Sequence, residues 1–138
     1  MKFMVIVKAS NDSEAGVLPS EQLLSEMTKF NEELQKAGIL LDAAGLQPSS
    51  KSARIEFHGK ERRVVDGPFT ETKELVAGYW VLQCKSLAEC IEWMKRCPNP
   101  HEEDGVIEIR PFFELDDFPQ ASAETRERLQ RIESAIRS

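Results

Sequence analysis

Asp66-Gly67-Pro68-Phe69-Thr70-Glu71-Thr72-Lys73-Glu74 sets four ionisable side chains in nine consecutive residues, behind a turn that proline stiffens. Pro68 fixes its own φ and pushes Gly67 toward extended conformations, or toward the positive-φ regions that glycine enters cheaply. Phe69 is expected to be buried and to pin the turn to the core, so that Asp66 is held rather than free in solvent. A held carboxylate in an apolar pocket is suited to general base catalysis, and beside a cation it is suited to positioning a ligand. The plainer reading is a turn in which Asp66 only bonds the backbone two residues on. Both readings stand at this point.

Four other residues complete the candidate set. Arg110 alternates with Ile107 and Ile109, so Glu108 and Arg110 face away from the side the isoleucines bury. A guanidinium on that face could hold a carboxylate or phosphate, or simply pair with Glu108 or Glu74. Asp66 and Arg110 would share one cleft if the turn folds over the sheet. Lys73 and Glu74 are candidates for substrate charge and proton transfer, with a solvated neighbour pair as the plain alternative. His101 follows Asn99-Pro100 in a loop at one end of the sheet and could form a His–carboxylate pair in a cleft. His58, in a glycine-containing turn, reads as exposed.

Alternation and helical spacing supply the elements that must position these residues. Residues 2–8 read as a strand apolar on both faces, with Phe3, Val5 and Val7 opposite Met4 and Ile6. After a polar loop over 9–19, Ser20 caps a helix with Leu23, Met27, Phe30, Leu34 and Ala37 on one stripe, ending at Gly38. A second strand begins at Ile39-Leu40-Leu41. Residues 53–57 and 61–65 form a hairpin around His58-Gly59-Lys60. Residues 76–84 form the next strand, with Gly78 as a bulge candidate. Ser86-Leu87-Ala88-Glu89 is a capping box that opens a second helix, stopped by Pro98. Residues 105–113 form the last long strand, and a charged helix with the single stripe Leu129, Ile132 and Ile136 ends the chain.

Two β-α-β units around antiparallel pairings describe an α+β ferredoxin-like sandwich, with both helices on one face of an antiparallel sheet. Strands that are apolar on both sides then need a cover for the other face. A second copy of the same sheet is the simplest cover, which predicts a homodimer through the sheet face. The domain is read as residues 1–118 and the terminal amphipathic helix as 119–138.

The totals bound the function. A chain of 138 residues is one domain, with 41% hydrophobic and 30% charged residues. Lys+Arg 18 against Asp+Glu 24 gives a net charge of −6, which argues against nucleic acid as the main partner. The N-terminal apolar run is too short for a signal peptide and no stretch is long enough to span a membrane, so the expected location is the cytoplasm. Three cysteines, Cys84, Cys90 and Cys97, without paired C-x-x-C spacing argue against a disulfide framework or structural zinc. Cys90 and Cys97 lie seven apart on one helical face, where they pack. Glu102, Glu103 and Asp104 beside His101 could make a weak metal site, although acidic loops usually just solvate. With no glycine-rich phosphate loop, Ser-His-Asp order or two-histidine zinc spacing, no cofactor and no metal are expected.

Asp66-Gly67-Pro68-Phe69 with Glu71, Lys73 and Glu74 resembles the signature of the YCII-related family, in its DGPF-domain branch. Lys2-Phe3-Met4, Ala37-Gly38-Ile39-Leu40-Leu41, Gly78-Tyr79 and Ile107-Glu108-Ile109-Arg110-Pro111 carry the likeness to about residue 113. The resemblance implies a ferredoxin-like fold assembled as a dimeric α/β barrel. It implies suspected enzymes with a His–Asp pair in a cleft, the reaction being generally unassigned. It also implies association of the DGPF branch with extracytoplasmic-function sigma factors, hence a regulatory alternative. This chain departs from the pattern in its first helix, where Glu26-Met27-Thr28-Lys29-Phe30 contains no histidine. The expectation is therefore a small-molecule enzyme or ligand binder, with Asp66 and His101 as catalytic candidates and Lys73, Glu74 and Arg110 as ligand-binding candidates. A non-catalytic regulatory domain is the alternative.

Overall fold

Strict alternation shapes β1 (Lys2–Lys8), one of two inner strands: Phe3, Val5 and Val7 are buried on one face, while Met4 and Ile6 stay half-covered on the other. The computed structural model describes residues 1–101 and 104–137. The remaining strands are β2 (Leu40–Gly45), β3 (Ala53–His58), β4 (Glu61–Asp66), β5 (Val76–Gln83) and β6 (Ile107–Pro111). Four of them form one sheet in the order β2-β5-β1-β6, with every neighbouring pair antiparallel. That order, with helices crossing between β1 and β2 and between β5 and β6, makes this a ferredoxin-like α+β fold.

The helices form where the caps and stripes require. In α2 (Glu21–Lys36) the Ser20 hydroxyl accepts from the Leu23 N–H, and Phe30 and Leu34 face the sheet, fully buried. In α3 (Leu87–Met94) Ser86 caps the Glu89 N–H, and Cys90 and Met94 turn inward. Only half of the expected capping box forms, because the Glu89 carboxylate accepts from the Lys85 N–H instead. These side chains meet Phe3, Val5, Trp80 and Leu82 in one core, with Phe30 set edge-on to Trp80 at 6.3 Å.

Three expectations need correction. The loop over 9–19 contains a short helix, α1 (Asn11–Glu14), because Ser10 and Ser13 cap each other reciprocally. The bulge is not at Gly78 itself: the β1–β5 register shifts between Val7 and Lys8, which skips Ala77. Gly78 instead serves close packing, since a Cβ there would lie 3.1 Å from the Ala44 carbonyl oxygen. Phe69 is half-buried rather than buried, and what covers it is the Arg54 guanidinium, 3.7 Å above the ring.

The hairpin β3–β4 is a separate two-stranded sheet, in register from Ala53↔Asp66 to His58↔Glu61, and almost wholly exposed. The chain ends in α4 (Ala123–Arg137). No helix among the described residues is long and apolar enough to cross a membrane.

The cysteines belong to the core. Cys84 and Cys90 are buried and Cys97 is half-buried, all as free thiols. Burial pushes the Cys90 thiol from its ordinary 9.0 up to about 12, and Cys97 up to about 11. The native fold therefore holds thiol protons that the unfolded chain releases above pH 9.0. The stability this represents is complete below that pH and is lost as pH rises through about 11 and about 12. The urea midpoint is expected to fall steadily above pH 9.0, less steeply in Cys90→Ala, and Ellman's reagent is expected to react with Cys84 and Cys90 only after unfolding. Rapid modification of Cys84 or Cys90 in the native protein at pH 8 would contradict the burial.

Candidate functional site

A hollow lies between the N-terminal half of α2 and the end of the sheet where β1 finishes and β5 begins. It has a volume of about 1070 Å³. Val7, Trp80 and Ala43 line it from the sheet, Leu23, Met27 and Asn31 from α2, and Ser10, Asp12 and Ser13 from the α1 segment. His101 lines it as well. Its size and its mix of apolar walls with scattered polar groups suit a small organic ligand.

His101 is held from three sides. Its Nε2 lies 2.8 Å from the Lys8 carbonyl oxygen, and its backbone N–H donates to Asn99 Oδ1 at 3.0 Å. Gly105 lies against the ring, so close that a Cβ there would sit 2.9 Å from His101 Cδ2. A carbonyl can only accept, so Nε2 carries the proton and, in the neutral ring, Nδ1 keeps its lone pair. A half-buried imidazole in that tautomer can take a proton from a bound molecule and return it.

The floor of the cavity is set by a long-range polar contact. Trp80 is buried on β5, and its indole Nε1–H donates to Asn31 Oδ1 at 2.7 Å. A buried indole N–H needs such a partner, and Asn31 supplies it from the otherwise apolar face of α2. Sequence reasoning missed Asn31, although an asparagine beside Phe30 and one turn after Met27 interrupts the inward stripe and was the available signal.

The Asp66 turn is a structural clamp next to this cavity and not a part of its lining. Ser49, buried at 7% exposure, is the centre of the clamp. Its N–H donates to Glu14 Oε1 at 3.0 Å and its hydroxyl donates to Glu14 Oε2. The same hydroxyl accepts the Phe69 N–H at 3.0 Å, and the Gly67 N–H donates to the Ser52 carbonyl at 2.9 Å. Gly67 is not at positive φ; the position needs glycine for space. A Cβ there would fall 1.7 Å from the Ser49 carbonyl oxygen.

The structure separates the other predicted residues. Asp66 ends β4, exposed, and lines neither this cavity nor the smaller one beside Phe69. Lys73 and Glu74 are exposed in a single 3₁₀ turn, Thr72–Glu74. Arg110 lies on edge strand β6 opposite Met4, on the helix-free face, as the alternation required. There Arg110 Nε is 3.7 Å from Glu108 Oε2, and Lys8 Nζ is 3.9 Å from Glu108 Oε1. On the same face the Tyr79 hydroxyl donates to Asp42 Oδ2 at 3.2 Å, and the carboxylate's charge raises the phenol's pKa. Within one chain, Asp66 and Arg110 belong to opposite margins of the fold: the Asp66 turn is fastened to the segment after edge strand β2, and Arg110 is on edge strand β6. His58 is exposed and lies 3.0 Å from Glu56. Glu102 and Glu103 lie outside the described residues, among which no cluster of acids, histidines or cysteines could hold a metal ion.

Two comparisons bear on this arrangement. Residues 1–116 match the profile of the YCII-related domain. The chain is also 31% identical over 91 residues to the uncharacterized protein R00369 of Rhizobium meliloti (strain 1021), covering 66% of this chain and 73% of that protein.

Proposed function

We propose that this chain, which belongs to the YCII-related family, binds a small organic molecule in the cavity beside α2 and uses His101 for proton transfer to or from it. The observation that carries the reading is the fixed imidazole. Its Nε2 is committed to the Lys8 carbonyl, and the residue lines a roughly 1070 Å³ hollow with Nδ1 left as the ring's acceptor. Asp12 and Glu26 on the same lining give it a negative component, against Lys51.

The working unit is a homodimer through the helix-free sheet face, closing into the dimeric α/β barrel of the DGPF branch. In support, Met4, Ile6, Tyr79 and Val81 line that face without a helix over them, and Asp66-Gly67-Pro68-Phe69 resembles the branch signature. In that assembly Arg110, Glu108 and Lys8 border the seam, where an anion could be held.

The test is a screen of small organic acids, phosphate esters and amines against ¹⁵N-labelled protein. Ligands are expected to shift the Trp80 indole N–H resonance, and the same compounds are expected to perturb His101. Compounds that bind while moving only resonances of Lys8, Glu108 and Arg110 would place the site on the sheet face instead. A screen in which nothing moves the Trp80 signal would remove the cavity reading.

A further inference from the structure

The terminal helix α4 lies beyond the 1–116 span matched by the family, and its sequence carries a pattern unlike that of α2 or α3. Thr125, Leu129, Ile132 and Ile136 follow one another at spacings of four, three and four, which is the a/d seam of a coiled coil. The seam is narrow, two positions in seven, and thus shaped for another helix rather than for a sheet.

The start of α4 is capped and held by the segment that precedes it. The Ser122 hydroxyl accepts the Thr125 N–H at 3.1 Å, Arg126 Nη2 donates to the Phe118 carbonyl at 2.8 Å, and the Phe118 ring lies tilted at 45° against Phe113, 4.9 Å between ring centres. Beyond that anchor the seam is uncovered by its own chain. Leu129 is 39% exposed, Ile132 56% and Ile136 77%. A helix of 15 residues is marginal in water without a partner for its apolar stripe.

The charges flanking the seam identify the partner. With Leu129 and Ile136 at a and Ile132 at d, Arg128 falls at g and Glu133 at the following e. In a parallel pair of identical helices, g of one strand lies against the next e of the other, so Arg128 meets the second copy's equivalent of Glu133, twice by symmetry. Arg128 also has Glu124 within its own helix at 4.0 Å, but both side chains are largely exposed and that pair is readily exchanged. We infer that α4 pairs in parallel with α4 of a second copy of this chain, as a short coil of about two heptads that reinforces the assembly of the main domains.

The experiment is sedimentation velocity of the full chain over a concentration series, with five variants. Ile132→Asp is expected to raise the dimer dissociation constant about tenfold or more. Arg128→Glu is expected to raise it by about threefold, and Arg128→Glu combined with Glu133→Arg to restore it. Ile132→Cys is expected to give a disulfide-linked dimer on mild oxidation, since facing d positions meet only in the parallel register. Dissociation constants that do not move in these variants overturn the pairing, as does a monomeric wild-type chain or a mass above that of two copies. A fall in melting temperature for Ile132→Asp at unchanged mass would overturn it as well, by showing that the stripe packs on its own domain. The fifth variant, Ile6→Glu on the helix-free sheet face, separates the two contacts. Loss of association there with none in Ile132→Asp sinks the helix pairing alone, and the reverse sinks only the sheet-face reading.

Discussion

Gly67→Ala is expected to be the most damaging single-atom change in the chain, lowering stability by about 3 kcal/mol. The added methyl would stand 1.7 Å from the Ser49 carbonyl oxygen, where backbone rather than a flexible side chain is in the way. Relieving the clash must separate the turn from Ser49. That breaks the Gly67–Ser52 and Phe69–Ser49 hydrogen bonds and leaves the buried Ser49 hydroxyl without its donor. Gly45→Ala is the control, because it lies in β2 with open space around its Cβ position and no positive φ. Urea denaturation is expected to show a large drop in midpoint for the first variant and little change for the second. Equal midpoints would mean that the turn is not seated on Ser49.

The second large effect is on binding. For any ligand that shifts the Trp80 indole resonance, His101→Ala is expected to weaken affinity about tenfold or more, while Asp66→Asn stays within about twofold. The contrast follows from position: His101 lines the cavity, and Asp66 is exposed at the end of β4 outside it. Thermal melts of both variants separate binding from folding, since His101 also gives up its bond to the Lys8 carbonyl. If Asp66→Asn abolishes binding and His101→Ala does not, the acid–base role moves to the turn and the cavity reading falls.

Much of the fold was legible because its signals are local. The alternation in β1, the Ser20 and Ser86 caps and the stripe through Phe30 and Leu34 each specify an element within one or two turns of chain, and each element formed where its residues pointed. Alternation also placed Glu108 and Arg110 on the helix-free face, where the anticipated Arg110–Glu108 pair forms. The site was less legible because its contacts join distant residues. Nothing in the neighbourhood of Ser49 announces that Glu14, 35 positions earlier, will satisfy both its N–H and its hydroxyl. Asn31 and Trp80 are 49 positions apart. The turn at Gly67 was recognised, but its reason was misjudged. Backbone freedom was the local explanation, whereas the structure needs the room that a side chain would take from Ser49. His101 was the one candidate whose loop delivered it to a cavity, and what fixed it there was the end of β1, far off in sequence.

The carboxylate of Glu14 has a mechanical consequence. It closes the short helix whose Ser10, Asp12 and Ser13 border the cavity, and it also grips the residue on which the exposed hairpin is seated. Wall and lever are therefore geared together. A displacement of α1 would therefore strain the Glu14–Ser49 coupling at the root of the hairpin.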